Sequence, residues 1–512
     1  MAELHRAELR PGKLELLAPW MGSQRWYAAK GSAPQLTALA AWRLGDPAGE
    51  VGVETHLVMD TGGPEPLTYQ VPVTYRAAAE PALAHALIGT IDHGTLGTRW
   101  VYDGVHDPVY AGELFRLIRG EVEAESSSQS DTRDSRFHGE PAGSWTVALT
   151  VRGARVISGE QSNTSIILDT VDGAGAECPV IVKVFRILGA GDNPDVVLQS
   201  ALREAGCDRV PRVVGALRGT WPTSHTPSGG GVEGAPGRTT DPLPSAPYSS
   251  STDAEVTGHL AFAQEFIPNT EDAWRVALRA ATAGHDFTTA ARDLGVATAT
   301  VHTALAQSLG SRTAGTEDIA RLTAVMRRRL HTAAALVPAI AERAGEIEAI
   351  FAAAEAGPWP PLQRIHGDYH LGQVLHSPDR GWLLLDFEGE PLRPLAERVL
   401  PDSTFRDMAG MLRSLDYAGG SAEHDDPSRS ARAWVDDGVA AFLEGYSRSA
   451  DDPRHHATLL TAFLLDKALY EVVYEARNRP TWLALPAAAI SRLLGDAGRS
   501  ESAQTPERGW SS

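Results

Sequence analysis

Residues 364–390 constrain this chain more than any other stretch. Arg364-Ile365-His366-Gly367-Asp368-Tyr369-His370-Leu371-Gly372-Gln373-Val374-Leu375 is followed by Trp382-Leu383-Leu384-Leu385-Asp386-Phe387-Glu388-Gly389-Glu390. Each apolar run is too short for a helix and each ends near a carboxylate. That predicts strands of a small ribbon that bring Asp368, Gln373 and Asp386 together. A carboxylate that accepts or orients an alcohol proton must sit beside the nucleophile, and a loop position such as Asp368 allows this. Gln373, five residues on, offers a neutral carbonyl oxygen, and Asp386, eighteen beyond Asp368, offers a hard anionic one. Together they suit Mg²⁺, which takes a few oxygen ligands and completes its shell with phosphates.

Protein kinases meet the same need with H-R-D-x-x-x-x-N and D-F-G; here the strings are H-G-D-x-x-x-x-Q and D-F-E. The missing arginine and the glutamine resemble small-molecule kinases related to aminoglycoside and choline phosphotransferases. Alone, H-G-D is a polar turn and D-F-E an ordinary strand end. The ordered pair, at this spacing and between apolar strands, points to phosphoryl transfer. His366 reads as a structural residue that packs and bonds the loop. His370 stays open between such a role and contact with the substrate.

At 512 residues the chain exceeds one ordinary domain. A net charge of −19 argues against nucleic acid and anionic membrane surfaces as partners. The two cysteines, Cys178 and Cys207, build neither a disulfide framework nor a zinc site. No apolar targeting segment follows Met1, and no run is long enough to span a membrane, so a cytoplasmic enzyme is expected.

Residues 14 to about 110 alternate apolar and polar positions between turn residues, as in Thr55-His56-Leu57-Val58-Met59, predicting an antiparallel sheet packed on an early helix. Trp20, Trp26 and Tyr27 are assigned to packing there and given no catalytic role. Residues 121–141 turn polar and are expected to form a loop or linker. From Thr146 to Leu168 two strands are joined by Ser158-Gly159-Glu160-Gln161-Ser162-Asn163, whose small and polar residues suit phosphates: Ser158, Gln161, Ser162 and Asn163 are the candidates. Lys183, mid-strand in Val180-Ile181-Val182-Lys183-Val184-Phe185, is costly to bury unless it meets an anion, and in a kinase holds the inner phosphates. Its carboxylate partner is expected on a helix over Pro194 to Ala205, either Asp195 or Glu204. Residues 219–258, rich in Pro, Gly, Ser and Thr, read as a flexible insertion. The next strand, His259 to Pro268, ends where the backbone of Glu265 to Ile267 can pair with a purine.

The remainder is expected to be helical over 271–307, 318–356, 404–417, 431–448 and 456–478, with a frayed tail after Arg499. The organisation is therefore an N-terminal cap (1–115), a linker (116–144), a first lobe (145–268), a helical second lobe (269–498) and a tail. On the last long helix Lys467, Tyr470, Glu471, Tyr474 and Asn478 recur near Trp482. Paired hydrogen bonds and aromatic faces are what sugars need. The same spacing also fits an amphipathic helix with a Lys–Glu pair.

The whole chain resembles the actinobacterial maltokinases. P-W-M-G-S-Q-R-W-Y-A-A-K-G (19–31) is similar to that family's cap, S-G-E-Q-S-N-T-S (158–165) to its phosphate loop, and H-G-D-Y-H-L-G-Q and D-F-E-G-E-P to its catalytic loop and metal carboxylate. Phe405 to Ala418 and Y-E-V-V-Y-E-A-R-N-R-P-T-W (470–482) are more specific still. The resemblance implies an α+β, bilobal, aminoglycoside-phosphotransferase-like kinase fold with a cap and a mostly helical second lobe. It also implies ATP-dependent phosphorylation of maltose to maltose 1-phosphate for α-glucan synthesis, and trehalose synthase as partner or fusion. In that reading Asp368 is catalytic, Gln373 and Asp386 hold Mg²⁺, and His370, Lys467, Tyr470, Glu471, Tyr474, Asn478 and Trp482 face the sugar. Relatives carry a glutamate near position 197, where this chain has Val197. Related cap-bearing kinases phosphorylate glucosamine but differ from Y-E-A-R-N-R-P-T-W, which favours maltose. Two alternatives remain: a kinase of another small alcohol or amino sugar such as glucosamine, and a weakly catalytic partner of trehalose synthase, against which intact Lys183, Asp368 and Asp386 argue.

Overall fold

The computed structural model of the chain describes residues 9–128, 132–143, 147–157, 162–223, 254–390, 393–428 and 430–504. The chain folds into two compact units, residues 1–193 with 213–266, and residues 194–212 with 267–512.

The first unit holds two sheets. An eight-stranded sheet runs β1–β5–β6–β4–β3–β2–β7, with β12 also on β4. Its strands are β1 (Leu9–Arg10), β2 (Leu36–Leu44), β3 (Gly52–Asp60), β4 (Leu67–Arg76), β5 (Leu87–His93), β6 (Gly97–Asp103), β7 (Glu125–Ser126) and β12 (Ile187–Leu188). Helix α1 (Lys13–Ser23) packs against it through Leu17 and Met21, and Trp26 and Tyr27 are buried in the same core. These aromatics are packing residues, as expected from the sequence. The second sheet runs β8–β13–β14–β11–β10–β9. It contains β8 (Phe137–Pro141), β9 (Leu149–Val156), β10 (Asn163–Asp172), β11 (Val180–Phe185), β13 (Val213–Pro222) and β14 (Glu255–Glu265), with α2 (Pro108–Ile118) against it. Arg186 ties the two sheets: it donates to both oxygens of Asp103 (2.9 and 2.8 Å) and to Thr164 Oγ1 (2.9 Å). Pairing with a carboxylate and a hydroxyl is what offsets the cost of burying this guanidinium, whose Nη1 has no hydrogen-bond partner among the described residues.

Two segments expected to be loops contribute strands. Within the polar linker, β8 pairs with β13, and its Phe137 ring stacks on Trp42 at 5.6 Å. The segment cannot fold alone, but it can complete the edge of an existing sheet. The insertion expected over 219–258 is narrower, because Gly219 to Pro222 pair with Gly258 to Glu255. Glycine hides this strand from a sequence reading, yet the packing demands it: a Cβ at Gly219 would lie 2.4 Å from Leu260 Cδ1. The centre of that insertion, together with Ser158, Gly159, Glu160 and Gln161, lies outside the described residues.

The second unit is helical around two small ribbons. Its helices are α3 (Pro194–Glu204), α4 (Ala273–Ala283), α5 (Thr288–Leu309), α6 (Thr316–Leu336), α7 (Pro338–Glu342), α8 (Ala344–Ala356), α9 (Leu395–Arg398), α10 (Thr404–Asp425), α11 (Arg432–Tyr446), α12 (Ala457–Asn478) and α13 (Ala484–Gln504). The ribbons pair β15 (Glu271–Asp272) with β18 (Val374–Ser377) and β19 (Gly381–Leu384), and β16 (Ser311–Arg312) with β17 (Leu362–Gln363). The helix expected over 271–307 is broken at Gly284, left-handed at φ 67° and accepting no regular continuation. The run expected over 318–356 is three helices, with Pro338 opening the second. The chain is still helical to Gln504, past the point where a frayed tail was expected. No helix among the described residues is long and apolar enough to cross a membrane.

Candidate active site

The stretch 364–390 folds as expected, a hairpin with a loop before it and a carboxylate after it. Strand β18 pairs with β19 in the register Val374↔Leu384 to Ser377↔Gly381, and Leu385 N donates to Gln373 O (3.0 Å). Asp386 follows with φ 62°, a left-handed conformation that costs a non-glycine residue roughly 1–2 kcal/mol. Both its neighbours are pinned: the imidazole of His366 lies with Nε2 2.8 Å from Leu385 O, and Phe387 N donates to Asp195 Oδ1 (2.8 Å). His366 also packs on Phe387, with ring centroids 4.6 Å apart, so its role is structural.

The loop that carries Asp368 is held from below by Asp407 of α10. Buried Asp407 accepts the backbone N–H of His366 (2.8 Å) and Gly367 (2.8 Å), and its Oδ2 lies 3.0 Å from His302 Nε2. Burial would raise its carboxyl, but the His302 bond and the Gly367 N–H hold it below the usual range. Gly410, one turn on, lets the loop approach α10, since a Cβ there would lie 2.3 Å from Tyr369 O.

Above this base Lys467 of α12 places Nζ 3.3 Å from Asp368 Oδ1. Burial disfavours the ammonium, but Asp368, Glu390 and Glu471 outweigh it and keep Lys467 charged above its ordinary range. His370 is pushed down to about 4 by burial, so it is neutral at pH 7. Its Nδ1 accepts Gly372 N–H (3.0 Å), which leaves the ring proton on Nε2.

Asp195, Asp386 and Glu388 bring carboxylate oxygens within 4.8 Å of one another. Three hard oxygen donors fit a Mg²⁺ ion, whose charge would offset their mutual repulsion. Gln373 is adjacent, but its Nε2 donates to Asp386 Oδ2 (3.1 Å), so only a flipped amide could act as a ligand. The sequence offers Asp195 only as one of two candidate partners for Lys183 and gives Glu388 no role. Of the two carboxylates it offered to Lys183, Asp195 is buried and Glu204 is exposed.

Lys467, which reaches Asp368, also lines a cavity of about 240 Å³. Of the expected sugar residues, His370, Lys467, Tyr470, Glu471 and Tyr474 line it, joined by Trp274 of α4, Ser414 and Tyr417 of α10, and Glu475 and Arg479. Asn478 and Trp482 do not. Asn478 Nδ2 donates to Tyr474 O at the helix end (2.9 Å), and the Trp482 ring packs on His424, with centroids 5.1 Å apart. The 3.6-residue stripe of α12 simply continues past the end of the cavity. Glu471 accepts Nε (3.0 Å) and Nη2 (2.6 Å) of Arg413, and Glu475 accepts Nε (2.9 Å) and Nη2 (2.6 Å) of Arg479.

The expected nucleotide residues are distributed as follows. Lys183 lies on β11 opposite Ser165 and Phe262, Asn163 opens β10 directly after Ser162, and Glu265 ends β14. Ile267 accepts Thr270 Oγ1 through its carbonyl (3.1 Å).

Residues 20–107 match the maltokinase N-terminal cap domain family, and residues 240–390 match a phosphotransferase enzyme family. A glucosamine kinase of Streptacidiphilus jiangxiensis is 28% identical over 423 residues, covering 77% of this chain and 86% of that protein. A glucosamine kinase of Mycolicibacterium smegmatis is 28% identical over 371 residues, covering 69% and 82%. Among solved structures, a glucosamine kinase in complex with glucosamine, ADP and inorganic phosphate superposes with a TM-score of 0.61 at 23% identity, covering 94% of this chain and 99% of that one. A second crystal form of glucosamine kinase gives a TM-score of 0.64 at 23% identity, covering 95% and 100%.

Proposed function

We propose that this chain, which has the aminoglycoside-phosphotransferase-like kinase fold with an N-terminal cap domain, is an ATP-dependent kinase of a neutral sugar, with maltose phosphorylated at its anomeric hydroxyl to maltose 1-phosphate. The observation that carries the choice is the charge pairing of the cavity. Asp368 faces Lys467, Glu471 is held by Arg413, and Glu475 by Arg479. No carboxylate among these is left to receive an ammonium group, whereas Tyr470, Tyr474 and Trp274 offer aromatic faces to C–H surfaces.

In this reading Asp368 accepts the proton of the sugar hydroxyl, and Lys467 orients that carboxylate while offsetting charge near the transferred group. Asp386, with Asp195 and Glu388, would hold a magnesium ion, which when bound neutralises phosphate charge. Lys183, Ser162 and Asn163 are assigned to the inner phosphates, with the sequence candidates Ser158 and Gln161 lying outside the described residues. Positioning supplies the rest of the acceleration.

The second reading is an amino-sugar kinase, which rests on the naming of both relatives as glucosamine kinases. An ADP-release assay with maltose, glucose, trehalose and glucosamine, with the product read by ³¹P NMR, separates the two. Maltose is expected to turn over with an anomeric phosphate, and its kcat/KM should exceed that of glucosamine by at least about tenfold, ~1.4 kcal/mol. Faster turnover of glucosamine would replace the first reading with the second.

The cavity assignment has its own check on α12. Tyr470→Ala is expected to raise the sugar KM about tenfold with little change for ATP. Trp482→Ala should leave both near their original values, and a large sugar effect there would extend the site beyond the cavity described.

A further inference from the structure

The Lys467 ammonium is acted on by the carboxylates of Asp368, Glu390 and Glu471. An ammonium has three N–H donors and can serve several acceptors. Among the described residues, however, it pairs with Asp368 alone, at 3.3 Å. The other two carboxylates are taken by arginines. Glu471 accepts Nε and Nη2 of Arg413, and Glu390 accepts Nη2 of Arg329 at 2.5 Å.

Arg329 stands on α6 and reaches across to α12, where its Nη1 donates to Asp466 (2.7 Å), the residue before Lys467. The two acids it joins differ in what else holds them. Asp466 also accepts Nη1 of Arg406 (3.2 Å), whereas the carboxylate of Glu390, a residue 4% exposed, has no other partner among the described side chains. Arg406 is tied in turn to Asp402 (2.8 Å). Burial would raise the Glu390 carboxyl, but Arg329 first and Lys467 second hold it below the usual range, so it is an anion. Lys467 is therefore the next cation to which Glu390 is drawn. Both cations also lie over the ring of Tyr470, which lines the cavity, at 5.2 Å for the Arg329 guanidinium and 4.9 Å for Lys467 Nζ.

We propose that Arg329 is a positioning residue for phosphoryl transfer, which by holding Glu390 reserves the Lys467 ammonium for Asp368. That role presupposes Asp368 as the group that receives the sugar proton, so it rests on the reaction proposed above. A buried anion stripped of its partner is strongly unfavourable. Without the guanidinium, Glu390 would recruit Lys467, and Asp368 would lose the cation that orients it. Arg329 itself touches neither sugar nor phosphate.

The test is a kinetic comparison of Arg329→Gln, Glu390→Gln and the double variant, each assayed by ADP release at a temperature where it is folded. Arg329→Gln is expected to lower kcat about tenfold, within the range for coupled charged groups, with the KM for ATP unchanged. In the double variant no anion is left to draw Lys467 away, so its kcat should lie within about threefold of Glu390→Gln alone. A residue that only supports the fold would not be relieved in this way. Parental kcat in Arg329→Gln, or an equal loss from Arg329→Gln with and without Glu390→Gln, would overturn the proposal. If Arg329→Gln alone does not fold, a double variant much slower than Glu390→Gln would overturn it too. Asp368→Asn, run alongside, separates the two failures: if it stays active, the role of Asp368 fails and that of Arg329 with it. If Asp368→Asn is inactive while Arg329→Gln keeps parental kcat, only the positioning role falls.

Discussion

Asp368→Asn is expected to lower kcat by about 10²–10⁴, the range for removing a positioned acid–base group, or roughly 3–5 kcal/mol of barrier. The amide keeps the shape of the side chain but cannot accept the proton, and it leaves Lys467 without its carboxylate at 3.3 Å. Because the Asp368 backbone is fixed through Asp407 and His366 rather than through its own side chain, the fold should survive and the KM for ATP should change little. Asp386→Asn provides the contrast. Replacing one of three clustered carboxylates should raise the Mg²⁺ concentration needed for half-maximal rate, which Asp368→Asn should not do. Retention of more than a tenth of kcat in Asp368→Asn would remove the proton-accepting role, and an identical magnesium dependence in both variants would merge the two sites that the geometry separates.

The sequence made the Asp368 loop and the D-F-E turn legible because both are local: apolar strands of fixed length, a hairpin and two carboxylates at set spacing. What surrounds them was less legible, because it comes from residues that look ordinary where they stand. Asp407 sits in the Phe405–Ala418 string, which stands out by its resemblance to the family but gives its carboxylate no role, and only the folded chain puts that carboxylate under two backbone N–H groups. Asp195 was visible as a carboxylate on the helix after Lys183, but its bond to Phe387 N joins residues 192 apart in sequence. Trp274 and Tyr417 reach the cavity from helices that carry no sugar-binding pattern of their own. On α12 the expected stripe runs further than the cavity does, to Asn478 and on to Trp482, neither of which lines it. Strand β8 and the ends of β13 and β14 were lost to composition, since polar and glycine-rich residues pair well when a partner strand is already in place.

Asp407→Ala should have the largest effect on stability, because a fully buried anion is removed while three of its donors remain. His366 N, Gly367 N and His302 Nε2 would each lose their acceptor, and breaking a buried charged network of this kind costs about 3–5 kcal/mol. A drop in melting temperature on the order of 10 °C is expected for a domain of this size. Activity at a temperature where the variant is folded should also fall, since the loop carrying Asp368 has lost its base. The pH dependence gives a second readout with a definite sign. The Asp407 carboxyl is held below its unfolded value of about 3.9, so its contribution is fully present above that pH and is lost as pH falls through the lower folded value. Asp407→Asn should therefore be less stable than the parent at pH 7, because its NH₂ would confront a backbone N–H, yet lose less stability on acidification below about pH 4. Parallel stability curves for parent and Asn variant across that range would show that Asp407 does not titrate as a buried, hydrogen-bonded anion, and the account of what fixes the catalytic loop would fail with it.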